Sequence, residues 1–236
     1  MKIDIIYRCC GKETIVGIGQ KRLSRPSWFD KIKCYKSTWD MTQNDPSTFS
    51  MHVIYDGERS PLLDYIEGMR VSDGAIYKVG YGTQYGSIEY QWELADKLTG
   101  DWIYFCEDDY LHSPDAARVM VEGALRFELL SLYDHLDRYT RTDDRTTGKE
   151  TVALTHSCHW RTAESTCSTW AVSRQMWNQI REVAIHHGPN DRSFFYDLIS
   201  RNVRLWTPIP ARSTHCMKGY MSPLVNWNEV VAGVIL

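Results

Sequence analysis

Three consecutive carboxylates, Glu107, Asp108 and Asp109, close an apolar run that begins at Trp102. Adjacent anions repel one another, so something cationic should compensate them. At the carboxyl end of a buried strand a divalent metal suits that purpose and can carry a phosphate ligand in turn. A solvated acidic turn is the other reading, because Ser113-Pro114-Asp115 opens a helix and carboxylates favour a helix N-terminus. The local stretch leaves both open.

The elements that must position these acids come in a regular order. Ile3–Tyr7 reads as a first strand, followed by Arg8, two cysteines and a glycine-punctuated loop to Pro26. Ser27 can cap a helix carrying Trp28, Phe29, Ile32 and Tyr35, which Asn44-Asp45-Pro46 breaks. Phe49–Tyr55 is a second strand, ended by Asp56-Gly57, and Pro61–Met69 a short helix. Ala75–Val79 makes a third strand. Ser87 can then cap a helix through Leu98, with Gly100 just past its end. The acidic triplet ends strand four, and Ala117, Met120, Val121, Ala124 and Leu125 line the next helix.

Four strands alternating with four helices predict an α/β fold: a mainly parallel central sheet with helices on both faces. Ligands gather at the carboxyl ends of such strands. Arg8, Asp56 and the triplet all fall there, which favours the functional reading. Beyond them, Asp137–Lys149 is polar and aperiodic, and reads as a mobile excursion. Its Arg138, Arg141, Arg145 and Lys149 are interleaved with Asp137, Asp143 and Asp144, which blunts any phosphate-binding patch. Strands are expected at Thr151–Thr155, Ser168–Val172 and Val203–Trp206, with helices at Gln175–Ala184 and after the Gly188–Asp191 turn. The apolar tail Val230–Leu236 reads as an edge strand.

The 236 residues suffice for one domain with a proper core. A formal net charge of -3 gives no global drive toward nucleic acid. Lys2 and Asp4 interrupt any secretory leader, and no apolar segment is long enough to span a membrane, so a cytoplasmic, reducing setting is expected for the seven cysteines. His156, Cys158, His159, Cys167, His215 and Cys216 invite a zinc reading, but no Cys-x-x-Cys pair supports it. Trp160 and Trp170 suit either an acceptor platform or the core, and core is the commoner use.

Glu107-Asp108-Asp109-Tyr110-Leu111-His112-Ser113-Pro114-Asp115 resembles the Glu-Asp-Asp form of the Asp-x-Asp motif of GT-A glycosyltransferases. That resemblance implies a single domain over 1–236, with a Rossmann-like nucleotide-sugar-binding half at 1–112 and an acceptor-side catalytic half at 113–236. It implies Asp109 as the first candidate ligand of Mn²⁺ or Mg²⁺, Asp108 as a contact to the donor or a second metal ligand, and Arg8 and Asp56 where members hold the nucleotide. Tyr55-Asp56-Gly57 departs from the Asp-Asp-Gly turn of many members. Asn190-Asp191 resembles the Glu-Asp position of inverting members, which makes Asp191 the candidate general base. His215 resembles the histidine that some members add as a metal or phosphate ligand.

The implied reaction moves a sugar from a nucleotide-diphospho-sugar to an acceptor hydroxyl on a glycan, a protein or a modified nucleobase. A nucleotidyltransferase on a related fold is the second enzyme reading, kept by the Lys/Arg-containing loop from Gly11 to Arg25. A non-catalytic carbohydrate- or nucleic-acid-binding module with a structural acidic turn is the third.

Overall fold

The computed structural model of the chain describes residues 1–12, 17–18, 21–22, 24–69, 75–140 and 150–236, with 17–18 and 21–22 as backbone. Strand β1 (Ile3–Cys10) leads through the short pair β2 (Gly17–Ile18) and β3 (Lys21–Arg22) to helix α1 (Lys31–Asn44). Next come β4 (Phe49–Asp56), α2 (Pro61–Gly68), β5 (Ile76–Val79) and α3 (Gln84–Lys97). The acidic stretch is β6 (Trp102–Glu107), followed by β7 (Tyr110–His112), α4 (Ala116–Ala124), β8 (Leu129–Leu130) and α5 (Asp137–Thr140). The chain continues with β9 (Val152–Leu154), β10 (His159–Ala163), β11 (Trp170–Ser173), α6 (Arg174–His187) and α7 (Asp191–Ser200). It finishes with β12 (Leu205–Ile209), β13 (Ser213–His215) and α8 (Trp227–Ala232).

Nine strands form one sheet in the order β5-β4-β1-β6-β11-β8-β12-β10-β9. Strands β5, β4, β1, β6, β8, β12 and β9 run one way, and β11 and β10 the other. The expected mainly parallel sheet is therefore present. Its parallel half is apolar on both faces, as a sheet covered by helices must be. Alternate residues sort cleanly. Ile3, Ile5, Tyr7, Tyr104 and Cys106 pack with side chains of α1, α2 and α4, such as Tyr35, Leu63 and Met120. Ile6, Ile103 and Phe105 pack with α3, α6 and α7 through Trp92, Trp177 and Phe194.

Several local expectations are corrected. Helix α1 begins at Lys31, because Asp30 rather than Ser27 caps it by accepting from the Ile32 N–H at 2.8 Å. Helix α3 is capped by Thr83, and Ser87 lies buried one turn inside it. Gly100 is not the helix terminator, since α3 already ends at Leu98 in extended geometry. Glycine is needed there for space: a Cβ would stand 2.6 Å from an Asp4 carboxylate oxygen. The tail is helical rather than a strand from Trp227 to Ala232, with Trp227 and Val231, one turn apart, packed near Cys34, Leu111 and Cys216.

Arg138 lies on α5 and its guanidinium donates to the Ser165 carbonyl at 2.8 Å. Arg141, Asp143, Asp144, Arg145 and Lys149 lie outside the described residues, as does much of the Gly11–Arg25 loop. Trp160 and Trp170 are both buried. Among the described residues no helix is long and apolar enough to cross a membrane.

Candidate active site

The pleat divides the acidic triplet between the faces of the sheet. Glu107 has the parity of Ile103 and Phe105, so it points toward α3, α6 and α7. Arg8 is its register partner on the adjacent parallel strand and shares that face, and the two form an ion pair. Arg8 also donates from Nη1 to Ser87 Oγ at 3.2 Å. Burial pushes the Glu107 carboxyl up to about 7, against the opposing pull of Arg8 and with the help of its acidic neighbours.

Asp108 points the other way, toward α1. Its Oδ2 accepts from Lys31 Nζ at 2.8 Å and from the Cys10 N–H at 2.9 Å. Burial still holds this carboxyl above its ordinary value, although Lys31 opposes it. Burial acts to lower Lys31, and the attraction of Asp108 outweighs it and raises the ammonium instead.

Asp109 lies past the strand, where β7 pairs antiparallel with β13 and brings Tyr110 opposite His215. The Cys216 N–H donates to the Asp109 carbonyl at 2.8 Å, which fixes the crossing. Asp109 Oδ2 accepts from Arg25 Nη1 at 2.9 Å and lies 3.0 Å from His215 Nε2. Burial pushes Asp109 up, but His215 and Arg25 prevail and hold it well below the usual carboxylate range. His215 is raised in turn: burial opposes its charge, and Asp109 prevails. The imidazole stacks on Tyr110 at 5.0 Å with an 11° interplanar angle.

Each acid thus has its own protein cation: Arg8 for Glu107, Lys31 for Asp108 and Arg25 for Asp109. Lys31 and Arg25 were not singled out in the sequence, although three adjacent acids called for compensation. Arg25 sits immediately before Pro26 and Lys31 immediately after the cap of α1, so neither has a motif of its own.

Of the other candidates, Asp56 closes β4 in register with Cys10, and its Oδ1 accepts from the Gly82 N–H at 3.0 Å. It ties two strand-end loops together, with β1 lying between β4 and the strand of the triplet. Asp191 stands on the α3–α7 side as the first residue of α7, while Asn190 provides the cap by accepting from the Ser193 N–H at 3.2 Å. Asp191 is therefore not the cap residue. Its Oδ2 accepts from the Ser168 N–H at 3.1 Å, and Ser168 is held at φ 45°, in the left-handed region that a serine rarely adopts. Burial raises the Asp191 carboxyl, with hydrogen bonds from Arg192 and Ser168 opposing.

A divalent ion is tested by what the donors leave over. Asp109 Oδ1 is buried and has no hydrogen-bond partner among the described residues, and His215 Nδ1 is in the same condition. A buried carboxylate oxygen lacking a partner suits Mn²⁺ or Mg²⁺ as one protein ligand completed by water and phosphate oxygens, while the His215 nitrogen that faces Asp109 is paired with Oδ2. Among the described residues no group of three or more His, Cys, Asp or Glu side chains converges into a full cage.

No family model matches the chain, and no curated protein matches it in sequence. Solved structures do match in fold. The structure of GalNAc-T7 with UDP, GalNAc and Mn²⁺ superposes with a TM-score of 0.54 at 8% identity, over 93% of this chain and 45% of that one. TarS of S. aureus superposes with a TM-score of 0.50 at 12% identity, over 88% of this chain and 35% of that one. A 4-diphosphocytidyl-2C-methyl-D-erythritol synthase from Anaerococcus prevotii reaches a TM-score of 0.48 at 10% identity, over 99% of this chain and 96% of that one, too low to carry an argument. The chain spans less than half the length of GalNAc-T7 and TarS in those structures. The fold is GT-A-like.

Proposed function

We propose that the protein is a nucleotide-sugar glycosyltransferase in which residues 1–112 hold the donor and residues 113–236 present the acceptor. The observation that carries the reading is the pairing of Asp109 with His215 at 3.0 Å, each retaining a buried polar atom without a partner. It lies at the strand ends where this fold class binds ligands. The GT-A-like fold supports the donor class.

Asp109 and His215 would hold Mn²⁺ or Mg²⁺, which when bound stabilises negative charge on a leaving diphosphate. The chain's own residues supply the rest. Arg8, Arg25 and Lys31 are anchored by carboxylates at the mouth of the site, and such fixed cations favour a polyanion without having to reorganise. Asp56 holds the loop after β5 against the end of β4, giving the nucleotide a firm edge.

An acceptor hydroxyl is too weak an acid to ionise alone and needs a base within hydrogen-bond reach. Asp191 fills that role. Its carboxylate is held in place by Ser168 and the Arg192 N–H, and its raised pKa makes it a better proton acceptor than a solvated aspartate. A base on the acceptor side corresponds to single displacement with inversion. The proton passes from the acceptor oxygen to an Asp191 carboxylate oxygen as the acceptor bonds to the anomeric carbon and the diphosphate departs.

The test is a panel of nucleotide sugars with and without Mn²⁺ or Mg²⁺, read by release of nucleoside diphosphate. Metal-dependent release from at least one donor is the expected result. Release of pyrophosphate from a nucleoside triphosphate would mark nucleotidyl transfer instead, and silence with every donor would overturn the enzyme reading.

A further inference from the structure

The acidic turn that carries Asp109 also reaches the loop that holds Asp191. Tyr110 follows Asp109 directly and is the register partner of His215, so both side chains leave the same face of the β7–β13 ribbon and their rings stack. The Tyr110 ring is fully buried, with Tyr133 edge-on to it at 5.4 Å. Its hydroxyl donates to the Cys167 carbonyl at 2.7 Å. A second tether comes from the start of the same turn, where the Glu107 N–H donates to Thr169 Oγ1 at 3.3 Å. Cys167 and Thr169 flank Ser168, whose N–H donates to Asp191 Oδ2. The turn therefore grips the loop on both sides of the residue that holds Asp191. Ser168 stands at φ 45°, and a strained backbone of this kind persists only where its surroundings fix it. The two tethers do so.

We infer that Tyr110 is a positioning residue that sets the place of Asp191 relative to the metal site, acting through Cys167 and Ser168. This rests on the glycosyltransferase reading and deepens it by joining the two centres of the reaction. In a single displacement the attacking hydroxyl and the leaving diphosphate stand on opposite sides of the anomeric carbon. The base that serves the hydroxyl and the ion that serves the diphosphate must then keep a fixed separation. A buried tyrosine suits that task, because its ring is rigid and only two side-chain torsions need to be held. The face of the ring rests on His215, and the far end of the side chain holds the base loop. Misplacing a reacting group by about 1 Å costs about 100-fold in rate, so a spacer of this kind acts on turnover more than on metal binding.

The experiment breaks the tethers and keeps the packing. Tyr110→Phe retains the ring against His215 and loses the bond to Cys167, and Thr169→Val retains its shape and loses the bond from Glu107. Release of nucleoside diphosphate from a nucleotide sugar is read for each variant, alone and combined with Asp191→Asn. Tyr110→Phe should lower kcat by about 10- to 100-fold when Asp191 is present, and by less than about twofold in Asp191→Asn, where no base remains to be positioned. The Mn²⁺ midpoint, titrated by thermal shift with a nucleoside diphosphate present, should stay within about threefold of wild type, short of the about 10- to 100-fold that follows loss of a group supporting a metal ligand. Thr169→Val should show the same selectivity, and it decides the matter if Tyr110→Phe does not fold. Equal losses of kcat with and without Asp191, or a Mn²⁺ midpoint displaced by about tenfold or more, overturn the inference and leave the glycosyltransferase reading standing. Absence of release from every nucleotide sugar by the wild type overturns both.

Discussion

Glu107 and Asp108 are neighbours in sequence, yet their carboxylates leave opposite faces of the central sheet, Glu107 meeting Arg8 and Asp108 meeting Lys31. The two-residue period of the strand therefore separates charges that would otherwise crowd together. Asp109, freed from the pleat by the turn, finds Arg25 and His215. The triplet is held by four cationic or titratable groups from separate segments, so it belongs to the architecture as well as to the site.

Lys31 tests that architectural role. Its side chain is 11% exposed and that of Asp108 14%, so the pair is largely shielded from water. Removing one partner of a buried pair leaves an uncompensated charge and costs about 3–5 kcal/mol. Lys31→Met should destabilise the protein toward the lower end of that range, and adding Asp108→Asn should restore a large part of the loss. Urea unfolding of the two single variants and the double variant measures the coupling, and strictly additive effects would contradict the pairing.

Asp109 tests the metal. Mn²⁺ should raise the melting temperature of the wild type in the presence of a nucleoside diphosphate, and Asp109→Asn, which converts the carboxylate to an amide, should lose that rise. Partners one step removed from a metal cost about 10–100-fold in affinity when lost, so a direct ligand should cost at least that much. Titration of Mn²⁺ by thermal shift is the measurement. An unchanged midpoint would place the ion elsewhere.

How far the sequence carried depended on the kind of information each element holds. The parallel half was legible because β1, β4 and β6 are long, largely apolar and bounded by turn residues, and helices intervene. Strands β7, β8 and β13 were not legible, since two or three residues cannot display a period. Strand β10 was obscured by the histidine and cysteine of His156–His159, which drew attention as ligands, while Trp160 in the strand itself fills the space beside Gly123. A Cβ on Gly123 would stand 2.6 Å from the Trp160 ring. Around the triplet, Arg8 and the acids could be read from their order at strand ends, and Arg25 and Lys31 could not. Their relevance comes from how the chain folds back across the β6 terminus, which no local spacing encodes.

His112 gives the stability of the protein a pH dependence of known sign. Its ring accepts or donates with Thr38 at 3.1 Å and Tyr104 at 2.7 Å, and burial pushes its pKa down to about 3. In the unfolded chain histidine protonates near about 6.5. Between those values the unfolded state binds more protons, so stability is full above the unfolded pKa and falls as pH drops toward the folded one. The urea midpoint should therefore decline from pH 6.5 to pH 4, and His112→Gln, though less stable outright, should show a shallower decline. Equal slopes would mean that His112 is not buried in its neutral form.

Asp191 carries the sharpest prediction about chemistry. If it takes the acceptor proton, Asp191→Asn should lower kcat by about 10²–10⁴-fold, the range for loss of a general base, with little change in donor KM. A merely structural Asp191 would disturb the loop at Ser168, whose strained backbone it holds, and donor affinity would fall together with kcat. The pH profile separates the cases further. Burial raises the Asp191 carboxyl, so activity requiring the carboxylate should fall on the acid side at a pH above the usual aspartate value. That limb should vanish from the residual activity of Asp191→Asn and persist in Asp191→Glu. An acid limb unaltered in Asp191→Asn would move the general base to another residue.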